Sequence, residues 1–390
     1  MNKTNNKFTN KTKKIKYFKL GLIFSVSIAF ISYILLNYFT LNVIERGPRL
    51  YFFLLFLELT FLLCSVILGF FWINTKYGFK KAKFYVIGIS FCVIIILSGV
   101  VISNNQQRKE YSYITIDNIQ RQYIVHLPTN YNDMSSYPIL LALHGGSGNA
   151  KQFEDQSEFN RVADKYHFIV VYPDGLGLFE FNFHVWNSGY IGTNLNNGVN
   201  DVSFLYHLIM KLQTDYSINS SRIYMTGHSN GAMMSYRMAA EYPELFAGVA
   251  PVSGSIGGKM TPESNFYEIP KPNGSVNILA IHGKQDTNVL YNGGVTQTGF
   301  NAGERYDLSV NDSISFWIKN NNCTSLPITQ NSTNNELTME SFTGGINNTF
   351  VKLVTINPAN HFWENMNKVV SEEEFHGSFL AEMIWNLLTE

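Results

Sequence analysis

Two patterns of apolar residues divide the chain near residue 102. Up to that point, long apolar runs occupy residues 20–41, 51–73 and 84–102. Each run approaches or exceeds the roughly 20 residues that a helix needs to cross the hydrocarbon core of a bilayer. After a polar linker at 103–110, the apolar runs become short and alternate with amphipathic segments. The pattern predicts a three-span membrane region at 20–102 and a separate folded domain at 111–390.

Short uninterrupted apolar runs in the second region predict strands. Two of them, 112–117 and 121–126, flank an Asp-Asn turn and predict a hairpin. Further strands are predicted at 138–143, 168–172, 222–226, 247–252, 277–282 and 350–356. Helices are predicted near 155–166, 201–216, 230–242 and 372–388, the last beginning at a capping box of Ser371 and Glu374. Apolar strands between amphipathic helices are typical of a mostly parallel sheet with helices on both faces.

The distribution of lysine sets the predicted orientation of the membrane region. Lysines cluster at 1–19, before the first apolar run, and at 76–83, between the second and third runs. Because cytoplasmic segments carry the excess of Lys and Arg, we expect a cytoplasmic N-terminus and an extracytoplasmic domain in the cell membrane. The first run is too long for the apolar part of a signal peptide, so it is predicted to remain as an anchor. Glu58, inside the second run, is either a functional group or the partner of a neighbouring helix.

Composition narrows the possible classes of protein. The formal net charge is zero, which gives no argument for nucleic-acid binding. Cys323 is the one cysteine beyond residue 110, so an internal disulfide is impossible there and the domain must rely on its apolar core. The Asn/Ser/Thr-rich tract at 321–335 predicts a surface loop.

Candidate chemistry begins at the run Gly227-His228-Ser229-Asn230-Gly231, which stands between a predicted strand and a predicted helix. A G-x-S-x-G corner of this kind projects a serine hydroxyl above the sheet, where it can attack a carbonyl carbon. The start of the following helix favours negative charge that develops there. Ser229 is therefore the candidate nucleophile, with His228 as a candidate substrate contact. A serine that merely caps the helix is the alternative.

A nucleophilic serine needs a base, and in this architecture the base follows both the serine and the acid. His282, His361 and His376 come after Ser229. His282 ends a strand and leaves too little chain for an acid before it, whereas His376 is predicted inside a helix. His361 lies in a short loop after the strand 350–356 and is the candidate base.

The candidate acid is Asp286. It follows the strand NILAIHG by three residues, at the strand end where ligand sites of open α/β sheets cluster. Glu304, Asp307 and Asp312 are predicted to be solvated or capping residues. Asp201 precedes the serine, which breaks the usual order, so it is predicted to cap its helix or to line the substrate pocket.

An oxyanion hole is predicted at two backbone N–H groups. His144-Gly145-Gly146 follows a strand, so its backbone can approach a substrate oxygen without hindrance from side chains. The first donor is Gly146, and the second is Asn230, the residue after the nucleophile. Glycines that serve only the conformation of a turn are the alternative.

Several motifs together resemble a known family. They are YPILLALHGGSGNAKQFED, GVNDVSFLYHLIMKL, SRIYMTGHSNGAMMSYRMAAEYPELFAGVAPVSGS and NILAIHGKQDTNVLYNGG, followed by a terminal His-x-Trp. Over roughly residues 120–385 the chain resembles the polyhydroxybutyrate depolymerase and feruloyl (acetylxylan) esterase-like branch of the α/β-hydrolases. The resemblance implies an α/β-hydrolase fold and the same roles for Ser229, Asp286 and His361. It also aligns Trp186 and Trp363 with aromatic positions near the active site, although both are equally compatible with the core.

The sequence thus predicts a membrane-anchored serine esterase that hydrolyses carboxylic esters, either small or at the cell surface. It predicts no metal and no organic cofactor, since the histidines lack a ligand spacing such as H-E-x-x-H. Two alternatives remain open at this point: a serine peptidase of the same fold, and a non-catalytic membrane sensor or scaffold with a hydrolase-like binding domain.

Overall fold

The computed structural model describes residues 111–179, 182–191, 199–298 and 303–390. The three predicted spans, the lysine clusters and Glu58 lie outside these residues. Among the helices that are described, none combines the length and the apolar character needed to cross a bilayer.

A ten-stranded sheet forms the centre of the described domain. Together with two small sheets it contains the strands β1 (Ser112–Ile116), β2 (Ile119–His126), β3 (Tyr137–Leu143), β4 (Ile169–Pro173), β5 (Leu176–Phe179), β6 (Asn182–Val185), β7 (Ile218–His228), β8 (Gly248–Val252), β9 (Gly257–Lys259), β10 (Tyr267–Glu268), β11 (Asn277–Gly283), β12 (Gly294–Thr298), β13 (Gly303–Asp307), β14 (Ile328–Asn331), β15 (Leu337–Phe342) and β16 (Val351–Ile356). The helices are α1 (Ala150–Ser157), α2 (Phe159–Tyr166), α3 (Asp201–Asp215), α4 (Asn230–Glu241), α5 (Val310–Asn321), α6 (Trp363–Glu373) and α7 (Leu380–Thr389).

The order of the large sheet is β1-β2-β4-β3-β7-β8-β11-β16-β15-β14. The run from β4 to β16 is parallel, whereas β1, β2, β15 and β14 extend it as antiparallel edges. The predicted parallel sheet and the predicted hairpin of β1 and β2 are therefore confirmed. The small sheets are β10-β9-β13-β12 and β5-β6.

The two faces of the sheet carry separate apolar clusters. Strand β3 shows why, because Leu140 and Ala142 point to one face and Ile139, Leu141 and Leu143 to the other. Helices α1, α2, α6 and α7 cover the first face, and α3, α4 and α5 cover the second. Burial of each large apolar side chain contributes roughly 1.5–3 kcal/mol, so a strand buried on both sides must be apolar throughout. This accounts for the uninterrupted apolar runs in the sequence.

Three predictions about local structure are wrong. The helix predicted at 372–388 does not begin at a capping box, because Ser371 lies inside α6 and Glu374 adopts a left-handed conformation (φ 49°) that ends α6; His376 lies in the bend before α7. The helix predicted at 155–166 is two helices, with Glu158 left-handed between α1 and α2. The tract at 321–335, predicted to be a loop, contains the edge strand β14.

Candidate active site

The parallel strands bring the candidate residues to one edge of the sheet. The segments that carry Gly146, Ser229, Asp286 and His361 follow the carboxyl ends of β3, β7, β11 and β16. These ends lie along the same edge because the strands are parallel, and a ligand site is expected there.

Ser229 occupies a strained corner between β7 and α4. Its backbone has φ 56° and ψ −117°, which is unusual for a residue with a side chain. A Cβ added to Gly231 would lie 2.5 Å from the carbonyl oxygens of Leu143 and His144, and one added to Gly227 would collide with Gly231. Both glycines are required because the start of α4 packs directly on neighbouring backbone. The G-x-S-x-G spacing therefore has a steric cause here.

The three predicted triad residues lie in hydrogen-bond contact. The Nε2 atom of His361 is 2.9 Å from Oγ of Ser229, and its Nδ1 atom is 2.8 Å from Oδ2 of Asp286. The other carboxylate oxygen, Oδ1, accepts the backbone N–H groups of Asn288 and Val289 at 2.8 and 2.9 Å. The carboxylate is thus held on both oxygens, and the imidazole is held between acid and serine.

A second histidine, His282, also contacts the acid. Its Nε2 atom lies 3.3 Å from Oδ2 of Asp286 and donates to the carbonyl oxygen of Val289 at 2.8 Å. Burial raises the pKa of Asp286, but hydrogen bonds from His282 and His361 outweigh burial and hold that pKa well below its usual range. Sequence reasoning excluded His282 as the base and missed this contact. The only sequence feature that indicates this contact is the spacing of four residues between His282 and Asp286, across the end of β11.

The two predicted oxyanion donors are neighbours. A Cβ added to Gly146 would lie 3.5 Å from Cβ of Asn230, and one added to Gly145 would lie 3.6 Å from Cβ of Ser229. Asn230 is the first residue of α4, where backbone N–H groups have no partner within the helix. Among the described residues, neither Gly146 nor Asn230 donates its backbone N–H to a protein acceptor. Both groups are therefore free to bind a substrate oxygen beside the serine.

Trp186 and Trp363 are core residues, since they are 0% and 1% exposed. This decides between the two predicted roles and removes a direct substrate contact. The side chain of Asn230 forms two hydrogen bonds with the backbone of Trp186. It accepts the Trp186 N–H at 2.7 Å and donates to the Trp186 carbonyl at 3.1 Å. The Trp186 indole N–H donates to the carbonyl oxygen of His144 at 2.9 Å. Trp363 packs edge-on against His228, with ring centroids 6.1 Å apart.

Asp201 does not cap its helix, and its side chain is buried. Asn200 is the N-cap of α3, whereas the Asp201 side chain is fully buried and pairs with Arg121 at 2.6 Å. Its second oxygen accepts the backbone N–H of Asn187 at 2.7 Å. The carboxylate therefore holds in place the backbone of Asn187, the residue that follows Trp186.

His228 contacts the loop that carries the candidate base. Its Nε2–H donates to the backbone carbonyl of His361 at 2.7 Å, and its side chain is half-buried. Burial, followed by the nearby charge of His361, lowers the pKa of His228 to about 3. His228 is neutral near pH 7 and positions the backbone of the base.

The other three candidate acids, Glu304, Asp307 and Asp312, have different surroundings. Asp312 completes a capping box with Ser309 at the start of α5, as predicted, and Glu304 is exposed on β13. The prediction for Asp307 is wrong, because this carboxylate is fully buried and pairs with Arg305 at 2.7 Å. It also accepts the hydroxyl of Tyr190 at 2.9 Å.

One buried group of possible metal ligands occurs in the described part of the chain: His144, Asp174 and His184. The Nδ1 atom of His184 and Oδ1 of Asp174 are 2.6 Å apart, a hydrogen-bond distance. Two ligands of a tetrahedral zinc ion are separated by roughly 3.3 Å, so these atoms fit a hydrogen bond better than a shared ion. Burial raises the pKa of Asp174, but its contacts with His144 and His184 hold that pKa well below its usual range. The group is thus a buried polar network around an ionised carboxylate.

The chain is similar to known esterases. Residues 121–268 match the profile of the family described as Esterase PHB depolymerase. Probable acetylxylan esterase A from Aspergillus fumigatus is 32% identical over 135 residues, which cover 34% of this chain and 35% of that protein. Feruloyl esterase B from Piromyces equi is 28% identical over 251 residues, which cover 62% of this chain and 42% of that protein. The solved acetyl xylan esterase from Aspergillus awamori aligns with a TM-score of 0.48 at 18% identity, covering 64% of this chain and 93% of that one.

The chain spans between about a third and two fifths of the length of these two curated relatives. The matched family segment contains Gly146, Ser229 and Asn230 and ends before Asp286 and His361. The family match and the relatives support a carboxylic-ester hydrolase.

Proposed function

We propose that this chain is a membrane-anchored serine esterase that hydrolyses carboxylic esters through Ser229, His361 and Asp286. The observation that carries the proposal is the continuous pair of contacts from Ser229 Oγ through His361 to Asp286, at 2.9 and 2.8 Å. Nucleophile, base and orienting acid in this arrangement suit attack on a carbonyl carbon.

In the first half of the proposed reaction, Ser229 Oγ attacks the ester carbonyl while its proton passes to Nε2 of His361. Asp286 accepts the Nδ1–H of the same ring and stabilises the imidazolium. The oxygen of the tetrahedral intermediate binds the N–H groups of Gly146 and Asn230, at the start of α4. The imidazolium then gives its proton to the departing alcohol oxygen, which leaves the acyl group on Ser229.

In the second half, water enters the place of the alcohol. His361 takes one proton from the water, and the resulting hydroxide attacks the acyl carbonyl in the same oxyanion hole. The carboxylic acid departs and the proton returns to Ser229. The chain's own side chains account for every proton transfer in this cycle.

The names of the relatives point to the substrate class. Acetylxylan and feruloyl esters have a small acyl group and an aromatic acyl group. We extend this class to the present chain and propose small or cell-surface esters as substrates. The apolar runs before residue 103 support an anchor of three spans, with the domain outside the cytoplasm. Protease added to spheroplasts is then expected to digest the domain and spare an N-terminal tag, whereas a protected domain contradicts this orientation.

The activity is tested with the full chain in detergent and nitrophenyl acetate as the probe. The wild type is expected to release nitrophenol, and Ser229→Ala is expected to lose this activity while keeping its far-ultraviolet circular dichroism. A nitroanilide peptide in parallel separates an esterase from a peptidase, since only a peptidase hydrolyses it efficiently. Esterase activity that survives Ser229→Ala contradicts the proposed mechanism.

A further inference from the structure

His144 stands directly before the two glycines that hold one oxyanion donor. Its side chain is only 1% exposed. The Nδ1 atom lies 2.7 Å from the carbonyl oxygen of Gly145. This carbonyl belongs to the same peptide unit as the N–H of Gly146.

The location of the proton on His144 follows from its neighbours. The backbone N–H of Gly175 donates to Nε2 at 3.0 Å, so Nε2 carries the lone pair and Nδ1 carries the hydrogen. The Gly145 carbonyl oxygen can only accept, which agrees with Nδ1–H as the donor of this hydrogen bond.

The geometry of the peptide unit links this contact to the direction of one oxyanion donor, the N–H of Gly146. In a trans peptide the carbonyl and the N–H point in opposite directions within one plane. A donor fixed on the Gly145 carbonyl therefore fixes the direction of the Gly146 N–H, which points the opposite way from that carbonyl. A hydrogen bond to the carbonyl also polarises the peptide and strengthens its N–H as a donor, by roughly 10–30% per bond in condensed-phase estimates.

We propose that His144 is a positioning residue that aims and polarises the Gly145–Gly146 peptide for the oxyanion. The inference rests on the proposed esterase function and adds a residue to it.

A buried network of Asp174 and His184 lies behind the ring. Oδ1 of Asp174 lies 3.2 Å from His144 Nε2 and accepts Nδ1–H of His184 at 2.6 Å. The His184 backbone binds the same turn, accepting the N–H of Ser147 at 2.8 Å and donating to the carbonyl of Gly148 at 3.2 Å. The His144 side chain and the His184 backbone thus both hold residues 144–148, the oxyanion turn, in place. Gly148 closes the turn by donating to the Gly145 carbonyl at 3.1 Å.

Two amide substitutions at His144 separate the contact made by Nδ1 from the contacts made by Nε2. In His144→Asn the amide nitrogen can occupy the place of Nδ1 and still donate to Gly145, whereas in His144→Gln the amide lies near Nε2 and that donor is lost. The matched control is Tyr172→Phe, which removes a buried hydroxyl that donates to Asn160 at 2.8 Å, away from the oxyanion turn. All variants are made in the full chain.

The measured quantities are kcat and KM for nitrophenyl acetate and the inhibition constant of an alkyl boronic acid, whose serine adduct places an oxygen in the oxyanion hole. Loss of one oxyanion donor typically lowers kcat by about 10²–10³, so a misaimed donor is expected to cost roughly 10–10². His144→Gln is expected to lower kcat by this factor with KM changed less than about threefold, and to weaken boronate binding in parallel. His144→Asn is expected to keep most of the wild-type kcat. Tyr172→Phe is expected to keep the wild-type value of kcat/KM.

Three results overturn the inference: wild-type kcat in His144→Gln, a loss that appears in KM alone, or equal losses in the two amide variants. If His144→Gln does not fold, Asp174→Asn replaces it and is expected to lower kcat and boronate affinity together. Unchanged kcat in that variant also overturns the inference, as does a stoichiometric metal ion in the purified wild type whose removal abolishes activity. A wild type that neither hydrolyses the ester nor reacts with a fluorophosphonate overturns the proposed function itself, which distinguishes the two failures.

Discussion

The two halves of the candidate site are built in different ways. On the triad side, Ser229, Asp286 and His361 lie after different strands and contact one another through their side chains. On the oxyanion side, the proposed donors are the backbone N–H groups of Gly146 and Asn230. Buried polar residues contact the segments that carry these groups.

This difference determines what substitution can do to each half. Removal of a triad side chain removes a group that takes part in the reaction. The backbone donors cannot be removed in this way, and only their supports can be changed. We therefore expect large losses of kcat on the triad side, and smaller losses, often combined with reduced stability, on the oxyanion side.

The largest effect is expected for the base. His361→Ala removes the group that accepts the serine proton, and loss of a triad histidine in a serine hydrolase costs roughly 10⁶ in kcat. Steady-state hydrolysis of nitrophenyl acetate checks this value, with circular dichroism as the control for folding. Activity within tenfold of the wild type contradicts the assignment of His361 and moves the base to another residue.

The acid is expected to have the second-largest effect. Asp286→Asn keeps the shape of the carboxylate but favours the wrong tautomer of His361, and the corresponding change in the triad template costs about 10⁴ in kcat. The matched variant is His282→Gln, because His282 contacts the same oxygen without reaching Ser229. We expect His282→Gln to lose less than about tenfold. If the two variants lose equally, Asp286 does not act through His361.

On the oxyanion side, the ion pair of Arg121 and Asp201 is expected to govern stability. Both side chains are almost fully buried, and removal of one partner of such a pair costs about 3–5 kcal/mol because the other charge is left unpaired. Arg121→Met should lower the free energy of unfolding by this amount in a urea titration. The control Lys211→Met breaks an exposed pair with Asp215 and should cost less than about 1 kcal/mol. Similar costs for both variants contradict the structural role of the buried pair.

The smallest expected effect concerns pH and His228. Its pKa of about 3 in the folded chain lies below the ordinary value of about 6.5, so the unfolded chain binds more protons between these values. The contribution of His228 to stability is therefore complete above about pH 6.5 and is lost as the pH falls toward 3. The variant His228→Gln cannot take up this proton and should show a flatter change of urea midpoint between pH 7 and pH 5. An unchanged slope would show that His228 does not resist protonation in the folded chain.

The contacts among Ser229, Asp286 and His361 could be predicted from the sequence because each of these residues is marked locally. Ser229 stands in a motif between a strand and a helix, and Asp286 and His361 each follow an apolar strand at a short distance. Parallel strands then bring these positions to one edge. The predicted fold class followed from the same uninterrupted apolar runs.

The supports of the oxyanion side could not be predicted in this way. Arg121 lies 53 residues from Asp174 and 80 from Asp201, and only the folded arrangement of β2, the end of β4 and α3 brings them together. Nothing in the local sequence distinguishes a buried Asp201 from a capping one. The break at Glu374 was equally hidden, because a left-handed glutamate at the end of a helix leaves no mark in the polar pattern.

The identity of the nucleophile is the central claim, and covalent labelling tests it most directly. The full chain is treated with a fluorophosphonate probe, digested, and examined by mass spectrometry. We predict a single adduct on the peptide that contains Ser229, formed quickly by the wild type, slowly by His361→Ala and not at all by Ser229→Ala. An adduct on another residue, or no adduct on the folded wild type, would contradict the account.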